Sequence, residues 1–193
     1  MRIFIGLDIC DTFKKEIVKV HEMVEETGAF IRWVNLANLH ITCKFLGEIN
    51  EEYIPKIEDL IFDVVRNVEP FEITLGELGA FPNIDMPRII WVGIGQNQHK
   101  VELLSEKILK ECSKLGFPDN DEVPFKAHIT IGRVSYPKDK RALASVLRDF
   151  KLKPEICRIK AIKLFESEIT AEGPIYSTIY EAPFIEDFAG ESF

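Results

Sequence analysis

His40-Ile41-Thr42-Cys43 and His128-Ile129-Thr130-Ile131 are one short pattern written twice, a histidine and a threonine two residues apart in an apolar stretch. Side chains alternate across a strand, so in extended backbone each histidine and threonine share a face. The first strand then carries Asn38, His40, Thr42 and Lys44 on one face, with Leu39, Ile41, Cys43 and Phe45 on the other. The second carries Lys126, His128, Thr130 and Gly132, against Ala127, Ile129 and Ile131. Each apolar face must pack on a core, and the expected cover is the helix that follows. Each polar face, with its imidazole, hydroxyl and cation, is turned toward something wet and anionic.

Working outward, Arg2 to Asp8 reads as a first strand. Asp11 is placed as N-cap of a helix through Glu26, whose Phe13, Ile17, Val20 and Val24 keep helical spacing; Gly28 ends it. Arg32 to Val34 is a short extended piece, and Leu39 to Leu46 is the first motif strand. Asn50 caps a helix over Glu51 to Asn67, with Pro55 in its first turn. Phe71 to Gly79 and Arg88 to Ile94 form a hairpin turned by Ala80 to Asn83. A helix over Gln96 to Leu115, a polar loop over Gly116 to Asp121 and the second motif strand, Phe125 to Val134, follow. Pro137 and Lys138 lead a helix to Arg148, and strands Ile156 to Glu166 and Ile175 to Glu181 close the chain around a Gly173-Pro174 turn. Both motif strands precede a helix, which suggests an internal duplication. The expected fold is α+β and bilobal, two antiparallel sheet-and-helix lobes around a central cleft. With no Gly/Ser/Pro-rich linker, residues 1–193 are expected to form one domain.

The 193 residues suffice for a sizeable core, and an apolar share of 46% excludes a disordered chain. No apolar run reaches the roughly 18 to 20 residues of a membrane span. An acid at Asp8 directly after a short apolar run makes the N-terminus a strand and not a signal peptide, so a cytoplasmic protein is expected. Cys10, Cys43, Cys112 and Cys157 are scattered, with no Cys-x-x-Cys pair, which argues against a zinc site or a disulfide framework. A net charge of −8 argues against coating long nucleic acid, but leaves room for a small basic pocket on one nucleic-acid end.

Two opposed motif faces would flank a bound group with one imidazole able to give a proton and one able to accept it. Two hydroxyls and one or two cations would hold negative charge between them. That arrangement suits attack of water at phosphorus with expulsion of an alcohol, and calls for neither metal nor cofactor. His21 and His99 sit on helices without a partner motif and read as packing or surface residues. Alternation puts Cys43 on the buried face, a small core thiol rather than a nucleophile. The glycines at 76 to 79 and 93 to 95 lack phosphate-loop spacing.

The paired motifs resemble the 2H phosphoesterase superfamily. The text of His40 to Glu48, Gly79-Ala-Phe-Pro82, Pro87 to Gly93, His128 to Arg133 and Leu164-Phe-Glu-Ser167 is similar to its RNA 2′,3′-cyclic phosphodiesterase branch, long labelled 2′-5′ RNA ligase. The resemblance runs from Met1 to about Tyr180. It implies hydrolysis of a terminal RNA 2′,3′-cyclic phosphate to a 2′-phosphomonoester, with His40 as acid, His128 as base, and Thr42 and Thr130 on the phosphoryl oxygens. Arg133 matches a family arginine taken to contact phosphate, although simple alternation puts it off the His128 face unless the strand bends at Gly132. Lys44 is on that face by alternation. Phe81 is either a base-stacking residue or a hydrophobic turn residue.

The expected partner is an RNA end bearing a cyclic phosphate, tRNA halves included, or a small cyclic nucleotide, bound by a monomer. The same site could run in reverse as an ATP-independent 2′-5′ ligase. A binding module without turnover would show a damaged motif, and both histidines and both threonines are present.

Overall fold

The computed structural model describes residues 1–118, 125–171 and 173–185. Among the described residues nine strands and four helices follow one another, in the α+β class the sequence predicts. They are β1 Arg2–Asp8, α1 Asp11–Glu25, β2 Phe30–Trp33, β3 His40–Glu48, α2 Ile54–Val65, β4 Phe71–Phe81 and β5 Ile89–Ile94. After them come α3 Gln98–Lys114, β6 His128–Tyr136, α4 Lys140–Asp149, β7 Ile156–Ile159, β8 Ala161–Thr170 and β9 Gly173–Pro183.

All nine strands belong to one antiparallel sheet in the order β7-β4-β5-β6-β3-β1-β8-β9, with β2 as a further partner of β6. The two motif strands are therefore neighbours at its centre. They are paired at one position, Ile41 opposite Ile129, the residue between histidine and threonine in each motif. Beyond it β3 leaves with β1, and β2 takes over the edge of β6 from Gly132 to Tyr136. The Val34 amide donates to the Ile131 carbonyl at 2.9 Å where the strands part. The sheet thus opens into two halves, β3-β1-β8-β9 and β6-β5-β4-β7, hinged on two buried isoleucines.

The apolar motif faces are buried as alternation requires: Ile41, Cys43, Ile129 and Ile131 are core residues. Burial pushes the Cys43 thiol up to about 12, so it stays protonated near neutral pH. The helices do not cover these faces in the expected way. The main cover of β3 is α3, tied to it by Ser105 Oγ donating to the Cys43 carbonyl at 3.0 Å. The following helix, α2, lies on α3, β8 and β9, and α4 lies on β4 and α1. Helix α1, sent out by β1, crosses to pack on β7, β2 and α4. The strands of the first half come from both ends of the chain and those of the second from its middle, residues 71–159, so the duplication is one of space and not of sequence halves.

Three boundary expectations change. Asp11 is the first helical residue and not the N-cap; its carboxylate pairs with Lys14 at 3.3 Å in the first turn, where the helix dipole favours an acid. The strand expected over Ile156 to Glu166 is two strands broken at Lys160, β7 pairing with β4 and β8 with β1, so this one stretch links the halves. The β8–β9 hairpin closes at Thr170 opposite Gly173, earlier than the Gly173-Pro174 turn, and Gly173 (φ +126°) begins β9. Of the polar loop expected over Gly116 to Asp121, residues 119–121 lie outside the described residues.

Candidate active site

From the shared isoleucines outward, the register of β1 on β3 and of β5 on β6 matches step for step. Leu7 and Val92 oppose Ile41 and Ile129, and Gly6 and Trp91 oppose Thr42 and Thr130. Ile5 and Ile90 then oppose Lys44 and Gly132, and Phe4 and Ile89 oppose Phe45 and Arg133. In both strands the motif chain advances two residues, from Thr42 to Lys44 and from Thr130 to Gly132, while its partner advances one. That is a β-bulge, and it exchanges the faces of everything after it.

The bulge decides which cation meets the histidines. Arg133, off-face by strict alternation, returns to the face of His128 and Thr130. Lys44, on-face by strict alternation, is turned toward the helix side by the register while still lining the cleft. Its ammonium donates to the Pro118 carbonyl at 3.0 Å, just past the end of α3. Its charge bears on the Cys112 thiol of α3. Phe45 holds in the first half the place that Arg133 holds in the second.

A cleft of about 810 Å³ lies between the halves. His40, Thr42, His128, Thr130, Arg133 and Phe81 all line it, and Lys44 joins its wall beside Cys43 and Leu109. Both imidazoles are fixed by the same device. Nδ1 of His40 donates to the Asn38 carbonyl and Nδ1 of His128 to the Lys126 carbonyl, each at 2.7 Å and each two residues upstream. A carbonyl only accepts, so each neutral ring is the Nδ1–H tautomer and keeps its Nε2 lone pair. His40 Nε2 lies 2.8 Å from Thr42 Oγ1.

Aromatic walls hold the rings. His40 lies against Phe4 (4.7 Å between ring centres) and meets the edge of Tyr176 (5.4 Å). His128 meets the edge of Phe81 (5.3 Å), with Trp91 behind (6.0 Å). Lys126 Nζ sits over the Trp91 ring at 4.3 Å. Trp91 lies flat on Gly79, where a Cβ would come within 2.2 Å of the indole. Gly79→Ala is therefore expected to displace the indole and destabilise the fold by about 1–3 kcal/mol. Thermal denaturation would read this as a Tm lower by about 2–4 °C per kcal/mol. An unchanged Tm would contradict this packing.

The electrostatics of the halves differ. Burial lowers the pKa of both histidines, and in both the upstream carbonyl works against it. His40 has Asp8 directly opposite on β1, whose carboxylate raises its pKa, while the charge of His128 lowers it. His128 has Gly93 in the matching position, and the Lys126 ammonium lowers its pKa further. Asp8 is itself paired with Lys163, which also reaches Glu181 at 3.1 Å. Phe4, Tyr176, Trp91 and Asp8 escape a motif-based reading; strand alternation in Phe4-Ile5-Gly6-Leu7-Asp8 is the signal that places Phe4 and Asp8 on one face.

The family model described as LigT like phosphoesterase matches residues 7–91, which include the first motif. An RNA 2′,3′-cyclic phosphodiesterase of Methanocaldococcus jannaschii is 38% identical over 94% of this chain and 99% of its own. One of Thermotoga maritima is 34% identical over 95% and 96%. Among solved structures, TT0787 of Thermus thermophilus superposes with a TM-score of 0.81 at 25% identity, over 95% of this chain and 98% of that one. E. coli LigT complexed with 3′-AMP shares the fold at a TM-score of 0.74 and 19% identity, over 96% and 98%. Sequence and fold agree over nearly the whole length, and the chain belongs to the LigT-like phosphoesterases of the 2H superfamily.

Proposed function

We propose that this chain hydrolyses the 2′,3′-cyclic phosphate at an RNA end to a 2′-phosphomonoester, and that residues 1–193 act as one catalytic unit. The observation that carries the reading is the matched pair of carbonyl-pinned imidazoles on the two central strands, with Arg133 returned to their face by the bulge. Relatives that align over almost the full chain bear the name of that activity.

The chemistry balances on these side chains. His128 Nε2, neutral, takes a proton from water as its oxygen bonds to phosphorus. The bond from phosphorus to O3′ breaks, and His40, protonated, gives O3′ its proton. Thr42 and Thr130 donate to the non-bridging oxygens, and Arg133 offsets their charge. The assignment of acid and base follows the field: Asp8 favours the imidazolium of His40, and Lys126 disfavours that of His128. Phe81, at the rim beside His128, offers a ring face to the terminal base.

The test is incubation with an RNA ending in a 2′,3′-cyclic phosphate, in EDTA. A 2′-phosphate product is expected; a 3′-phosphate or no product sinks the reading. The pH dependence follows from the shifts. The acid limb marks His128, which must be neutral, and the alkaline limb His40, which must be charged. Both are held below the ordinary histidine value of about 6.5. The kcat/KM bell is therefore centred on the acid side of that value. A bound phosphate anion favours both imidazolium forms, so the kcat bell should lie at higher pH. A flat profile through the histidine range would contradict the pair.

A further inference from the structure

Strand β2 pairs with β6 alone, and two of its residues, Arg32 and Trp33, line the cleft. Arg32 lies directly opposite Arg133, and both line the cleft. Directly opposed residues on antiparallel strands have Cβ atoms about 4.5–5.5 Å apart, and like charges so placed destabilise a sheet. Among the described residues no carboxylate is within ion-pair distance of either guanidinium. The carboxylate ion pairs there go to Lys14, Lys19, Arg66, Lys114, Arg148, Lys151 and Lys163. A chain of net charge −8 thus sets two arginines side by side with their compensation left to something else.

The same face continues outward. Phe30 is two residues before Arg32, so it shares that face, and it pairs with Tyr136 across a second register shift in β6. The two rings are 6.4 Å apart and exposed at 65% and 59%, which makes them a platform outside the cleft and not part of the core. Along β6 the order is His128 and Thr130, then Arg133 beside Arg32, then Tyr136 beside Phe30. From Thr130 to Tyr136 is about 20 Å at ~3.3 Å per residue. That accommodates several nucleotides at about 3.4 Å of stacked rise each. Cations tracking a backbone, followed by aromatic faces, are how single strands are held without sequence readout.

We propose that the outer face of β2–β6 is a binding track for the single-stranded RNA immediately 5′ of the reacting phosphate. Arg32 holds the first internucleotide phosphodiester, and Phe30 with Tyr136 stacks an upstream base. The inference rests on the hydrolase reading above and adds the place where the nucleotides 5′ of the reacting end are held.

The experiment compares kcat/KM on a tetranucleotide and on a mononucleoside, each ending in a 2′,3′-cyclic phosphate. The wild type is expected to favour the tetranucleotide. Arg32→Ala should bring that ratio toward one, mainly through KM, and flatten the salt dependence on the tetranucleotide by about one phosphate contact. A Phe30→Ser/Tyr136→Ser double variant should lower the ratio by at least about fivefold, the effect of losing one stacked base. It provides a second route should Arg32→Ala fail to fold. Equal wild-type rates on the two substrates, or variants that lower both rates in proportion, overturn the track and leave the hydrolase reading standing. Wild type inactive on both substrates overturns the hydrolase reading itself.

Discussion

His128→Ala and His40→Ala are each expected to lose about 10²- to 10⁴-fold in kcat/KM on a cyclic-phosphate RNA end, the usual worth of one general acid or base. Loss alone would not tell base from acid; the pH profile of the residual activity would. Without His128 the acid limb should vanish and the alkaline limb of His40 remain. Without His40 the opposite limb should survive. The double variant should fall little below the poorer single, because groups that serve one transition state are far from additive. Both rings touch aromatic walls, so each variant needs a thermal melt to show that it folds. A folded His40→Ala enzyme at full rate, or limbs lost in the reverse order, would remove the assignment.

The alternation in the two motifs was enough to locate the strands, the buried isoleucines and the polar faces, because a strand with one buried face has a single workable phase. Helix faces were equally readable: Phe13, Ile17, Val20 and Val24 of α1 are all buried. What alternation could not carry was long-range pairing. Nothing local in Ile156 to Glu166 says that it changes partner at Lys160. Nothing near β1 says that its helix will cover the other half of the sheet. The bulges were hidden for the same reason, since a bulge is defined by a partner strand and both motif strands read as regular in isolation. Gly132 hinted at one; Lys44, in the matching position, did not.

The two histidines start from near-equivalent positions, and what makes them different lies in their neighbours. Asp8 opposes His40 where Gly93 opposes His128. Lys163 opposes Gly6 where Gly79 opposes Trp91. One half is charged behind its imidazole; the other is closed by an indole lying on glycine. A cyclic phosphate needs two proton transfers in opposite senses, and two sites of identical field would favour neither direction.

Arg133→Met should cost about 10²- to 10³-fold in kcat/KM, the scale of losing one donor aimed at developing negative charge. Lys44→Met should stay within a few-fold of wild type. The contrast follows from the bulges alone. Both residues come shortly after a motif threonine, and both are cations. By strict alternation Lys44 would be the phosphate ligand and Arg133 would point away. The register shift opposite Ile90 and Trp91 sends Arg133 into the cleft, and the matching shift opposite Ile5 and Gly6 sends Lys44 toward Pro118. Arg133→Lys should recover part of the loss, since it restores charge but not the two-pronged geometry of a guanidinium on phosphate. Steady-state kinetics on the cyclic-phosphate RNA end would decide it: a Lys44→Met enzyme as crippled as Arg133→Met would mean that both cations reach the phosphate and that the bulge in β3 does not persist when substrate is bound.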